Sequence, residues 1–287
     1  MLKSIVNPKR TERGPFKMFF VGLVYASLSV LFVKFLFSQE PSLYQSAGLL
    51  VVSFSVFFSL PFMYFLIKKE EKIDEEIEGF FSVWKFHKDA IYAFMWLFLG
   101  FLVAFSFWYI VLQDANLLNA QIETYCAINS PGDVEGCVLK SSPGQQSGIT
   151  GDSVSKVTRF LSIISNNIYV MIFTLLFSLV FGAGAMFILA WNASVIAAAI
   201  GVFTEYNLRE VPFGIARYMI HGVPEIAAYF VTALAGGILG IGVIKNGIMN
   251  KTFLRLFENI VVLLFIGILF LVIGAVIEVY LTPLLFS

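Results

Sequence analysis

The stretch Tyr218–Gly242, YMIHGVPEIAAYFVTALAGGILGIG, is apolar over a length that crosses a bilayer, yet it opens on a histidine and a glutamate four residues apart. An ionisable side chain at membrane depth costs several kcal/mol without a partner, water or a cavity, so His221 and Glu225 are the first candidates for function. The glycines and alanines behind them allow another helix backbone to come close. The whole chain fits this reading: of 287 residues, 59% are hydrophobic and 13% charged, with a mean hydropathy of +0.85. Globular chains carry about 25% charged residues. The expected fold is therefore all-α, a polytopic helical membrane protein. The 32 Phe, 11 Tyr and 4 Trp suit lipid-facing and interfacial positions. A net charge of zero leaves no basic surface for nucleic acid. The N-terminus lacks the short apolar core and cleavage site of a signal peptide, so the first apolar run is expected to be a retained span.

Runs near the roughly 20 residues a bilayer requires are Lys17–Phe37, Ala47–Ile67, Ala90–Leu112, Asn166–Trp191, His221–Ile244 and Glu258–Leu281. Six spans are expected, with Asn192–Phe203 as a short re-entrant or tilted helix. Five Lys and Arg precede or open the first span and five lie in Lys68–Asp89, whereas Ser38–Ser46 has none. The positive-inside rule then makes the N-terminus cytoplasmic and the loop 113–165 extracytoplasmic. Cys126 and Cys137 lie in that loop, where an oxidising compartment favours a disulfide; two unpaired thiols are the alternative. Lys68–Asp89 reads as an interfacial amphipathic segment, either a solvated connector or a docking surface for a soluble partner, with His87 as a solvated residue. The organisation expected is a three-helix region over 1–112, the loop 113–165 and a second membrane region over 166–287.

Polar residues gather in the second half. Asn166 and Asn167 open the fourth run, Asn192 opens the short helix as an N-cap or as part of a shared polar cluster, and Glu278 lies near the end of the last run. His221 and Glu225 share a helix face, and three uses are open to them: a packing pair, a proton or ion relay, or a metal-dependent hydrolytic site. The last needs Glu278 or Glu205 as a third ligand. Pro224 fits the first turn of a helix starting near Gly222, which would set Glu225 in the favourable field of the N-terminus. Gly182, Gly184, Gly222, Gly236 and Gly240 are helix-packing candidates, for packing within the chain or for a dimer seam. No Walker loop, nucleophile elbow or HExxH sequence is present, and no catalytic residue, metal or cofactor is assigned.

The pieces NNIYVMIFTLLFSLVFGAGAMFILAWNASVIAAAIGVF and RYMIHGVPEIAAYFVTALAGGILG, with paired Asn, Gly-x-Gly, a second Asn and then HG-x-x-E, resemble the stage II sporulation protein M (SpoIIM-like) family of integral membrane proteins. The opening NPKRTERGPFKMFFVGLVYASLSV resembles the longer form found in archaea. The resemblance covers roughly 160–280 and sets the family motif on Asn167, Gly182, Asn192, His221, Gly222 and Glu225. It implies a non-enzymatic membrane component of an envelope complex, embedded in lipid, with a protein partner and a homo-oligomer as the associations to look for. A permease with a midplane site at Asn192, His221 and Glu225 is the alternative, and an intramembrane metal hydrolase the distant third.

Overall fold

The computed structural model describes residues 15–74, 80–129, 132–141, 143, 156–181, 185–246 and 251–286. In chain order the helices are α1 (Lys17–Phe37), α2 (Pro41–Tyr44), α3 (Ala47–Asp74), α4 (Phe80–Leu112), α5 (Asn119–Asn129), α6 (Val134–Lys140), α7 (Lys156–Phe181), α8 (Ala185–Phe203), α9 (Val211–Asn246), α10 (Lys251–Val276) and α11 (Thr282–Leu285). A 3₁₀ turn, Leu208–Glu210, leads into α9, and a π-helical turn, Ile277–Leu281, joins α10 to α11. Among the described residues there is no strand, and six helices are long and apolar enough to cross a membrane, with Ala47–Phe62 as a shorter apolar stretch. The protein is an all-α polytopic membrane protein.

The surroundings of Asn192 differ from the expectation. Phe181 is the last described residue of α7 and α8 is described from Ala185, so Asn192 lies inside a helix of 19 described residues instead of opening a short one. At 1.5 Å per residue α8 is about 28 Å long, close to the hydrocarbon thickness. Its far end meets the cysteine loop, since the hydroxyl of Tyr206 donates to the Ser141 carbonyl and lies 3.2 Å from the hydroxyl of Tyr109 at the end of α4. Its near end follows α7 across residues 182–184. Asn166 and Asn167 likewise sit well inside α7.

α9 is the hub: it packs on α10 and α7 and touches α3, α8 and α4, and 78% of its apolar window is buried. Phenylalanines expected at the lipid boundary also fill the interior. Phe94, Phe98, Phe101 and Phe105 recur at helical spacing on the inner face of α4, and the Phe94 and Phe230 rings stack at 5.3 Å. Lipid tails are as apolar as these rings, so shape and dispersion hold the bundle more than water exclusion does. His87, expected to be solvated, is buried at the start of the apolar part of α4. The side chains of residues 63–84 lie outside the described ones, and with them most of the interfacial segment.

A disulfide joins Cys126 on α5 to Cys137 on α6, as the loop's composition led us to expect. Around it the loop is clamped to the bundle: Gln121 donates to the Gly48 carbonyl at 3.0 Å and Asn119 donates to the Gln45 carbonyl.

Candidate functional site

The polar residues of α9 recur every four positions, Arg217, His221, Glu225 and Tyr229, so one face of the helix carries a polar track from the loop end toward the bilayer interior. Arg217, His221 and Tyr229 bond segments outside α9. Arg217 donates to the Phe286 carbonyl at 3.0 Å, its guanidinium 4.6 Å from the centre of the Phe203 ring. His221 Nδ1 and Thr282 Oγ1 hydrogen-bond at 3.2 Å. The hydroxyl of Tyr229 donates to Asn167 Oδ1 on α7. Glu278, in the π turn, sits 3.7 Å from Arg159 of α7. π turns are frequent at functional positions because the widened backbone re-aims side chains.

His221 and Glu225 therefore share a face without pairing with each other. Space for the glutamate comes from α10: a Cβ built on Gly274 would stand 2.5 Å from Glu225 Cγ and 3.3 Å from the His221 carbonyl. One carboxylate oxygen, Glu225 Oε1, is buried without a hydrogen-bond partner. Pro224 lies inside α9, which begins at Val211, so Glu225 is far from the helix N-terminus and its field. Pro212 is the proline in the first turn.

The other sequence candidates fall elsewhere. Asn192 donates to the Ile188 carbonyl one turn back at 2.7 Å, bonding within its own helix instead of capping one. Gly236 and Gly240 are packing positions within the chain: their built Cβ atoms would lie 2.7 Å from the Leu175 carbonyl and 2.5 Å from the Leu179 carbonyl of α7. Gly222 faces only side chains of its own helix, Met219 and Ile226. Gly182 and Gly184 lie outside the described residues. No group of three or more His, Cys, Asp or Glu is placed to hold a metal among the described residues. A pocket of about 420 Å³, lined by Phe203, Thr204, Glu205, Asn207, Glu210 and Phe213, opens at the α8–α9 turn, where Phe203 also carries the Arg217 guanidinium.

Five participants escaped the sequence reading: Arg217, Tyr229, Arg159, Thr282 and Gly274. Arg217 and Tyr229 had a signal, as the preceding and following steps of the track, and Gly274 stands four residues before Glu278. Nothing local marked the other two.

At the loop end a second polar knot joins α1, α2 and the end of α4, where Lys34 and the Tyr44 hydroxyl both donate to Asp114. Burial pushes the Asp114 carboxyl up, but hydrogen bonds from Lys34, Tyr44 and the Asn116 amide, with the Lys34 charge, outweigh it and hold the group below its ordinary range. Burial, with the Asp114 contact, pushes the Tyr44 phenol well up.

The family model of stage II sporulation protein M matches residues 16–283, taking in the N-terminal helices and the cysteine loop as well as the polar track. No curated protein and no solved structure matches the chain. One model covers nearly the whole chain, and the protein belongs to the stage II sporulation protein M family.

Proposed function

We propose that this protein is a non-enzymatic scaffold of a cell-envelope complex, in which the track on α9 clasps the bundle together and presents the disulfide-bonded loop to a protein partner. The observation that carries this reading is the engagement of the track with other helices: Tyr229 with Asn167, His221 with Thr282, Arg217 with the Phe286 carbonyl, and Glu225 packed over Gly274. Polar groups that bond one another across helices in lipid fix the register of a bundle. The basic residues of the N-terminus and of Lys68–Asp89, together with the disulfide, support a cytoplasmic N-terminus and an outer loop. The cell membrane is the expected location.

The test is native purification of the tagged chain from its own membranes. The scaffold reading expects a stoichiometric protein partner, retained by wild type and lost from His221→Ala together with thermal stability. A chain that purifies alone from gently solubilised membranes, with His221→Ala as stable as wild type, contradicts it.

A second reading is favoured by one feature, the unpartnered Glu225 Oε1 beside the π turn: a permease that binds a proton or cation there.

A further inference from the structure

α7 is the least enclosed of the six long apolar helices, with 17% of its apolar window buried. Its inner face carries Asn167, Met171, Thr174 and Ser178. Its outer face carries Ser162, Ser165, Asn166 and Tyr169, followed by Phe173 and Leu176, all exposed and spaced by three and four residues as one stripe. Asn166 lies about 15 Å along a helix of about 39 Å, inside the stretch Lys156–Leu179 that is long and apolar enough to cross a membrane. An asparagine amide offers two donors and an acceptor oxygen, and acyl chains satisfy neither. Polar groups within spans ordinarily face the bundle interior, a cavity or another protein.

We propose that two copies of this chain associate through the outer face of α7, with Asn166 at the seam. The face is complementary to itself: amide and hydroxyl groups are donors and acceptors at once, so a two-fold axis pairs each with its own counterpart or neighbour. No ionised residue falls between Ser162 and Leu176, so like meets like without charge repulsion there, and Arg159, one turn before and half-exposed, has Glu278 as a counter-charge at 3.7 Å. Ser162 and Ser165 are small enough for close backbone approach. The proposal stands independently of the clasp on the inner side of the bundle.

The test is cysteine cross-linking of the full chain in membranes. The native cysteines are bonded to each other, so an introduced cysteine is the reactive thiol. Ser162→Cys, Ser165→Cys, Asn166→Cys and Tyr169→Cys are compared with Val24→Cys on the lipid-facing side of α1 under mild oxidation. We expect a band at twice the chain mass, several-fold stronger at the α7 positions than at Val24, and a dimer signal between fluorescently labelled copies in liposomes that Asn166→Leu weakens and Asn166→Gln retains. Equal cross-linking at Val24, no dimer band, or a cross-link only to a protein of another mass would each overturn it; the last would assign the face to a different partner.

Discussion

Gly274 of α10 lies against the Glu225 side chain of α9, so close that a methyl group on the glycine would stand 2.5 Å from Glu225 Cγ. The contact joins the two helices where the polar track needs them, because the His221 carbonyl is on the same side of the gap. A larger residue must push α10 away from α9. Overpacking costs about 1–3 kcal/mol, and we expect Gly274→Val to lower the melting temperature in detergent accordingly. Gly132→Ala, with open space around its Cβ, serves as the control and should leave it unchanged.

Asn167 and Asn192 should separate under the same substitution. Asn167→Leu leaves the Tyr229 hydroxyl buried without its acceptor, a loss of about 1–3 kcal/mol. Asn192→Leu removes a bond confined to one helix turn and should change stability by no more than about 0.5 kcal/mol. Thermal melts of the two variants check the difference.

The disulfide closes a loop with a sequence separation of 11, for which the chain-entropy account gives a stabilisation of about 2–3 kcal/mol. Its sulfurs are buried and each lies 3.8 Å from the Ser141 hydroxyl, in the residue whose carbonyl receives Tyr206. Cys126→Ser with Cys137→Ser should lower the melting temperature and raise hydrogen exchange at the α8–α9 turn as well as in the loop. Exchange confined to the loop would show that Tyr206 transmits nothing.

Asp114 gives the protein an acid limb. A carboxyl held below its ordinary value of 3.8 in the fold contributes stability that is present above that value and lost as the pH falls through the folded one. Melting temperature against pH should therefore drop on the acid side for wild type and flatten there in Asp114→Asn, with a lower plateau near neutrality because Lys34 loses its partner.

The apolar runs were legible because a membrane span is marked by length and composition alone, and the cysteine pair because its loop is polar and flanked by spans. The misreadings have physical causes. Asn192 interrupts an apolar run without interrupting the helix, since its amide bonds back to Ile188 inside Ala185–Phe203. Pro224 looked like a helix start because prolines begin helices in water; inside a membrane bundle neighbouring groups make an interior proline tolerable. The near neighbours of Glu225 were legible only in part, because Thr282 and Arg159 come from segments distant in sequence.

The central claim, that the α9 track is a clasp and not a pathway, is tested most directly by reconstituting wild type, Asn167→Leu and Glu225→Gln in liposomes and measuring proton and cation flux beside the melting temperature of each. We expect flux no greater than in protein-free liposomes for all three, with a clear fall in melting temperature for Asn167→Leu. Flux in wild type that disappears in Glu225→Gln, while that variant melts like wild type, would contradict the scaffold and establish the permease.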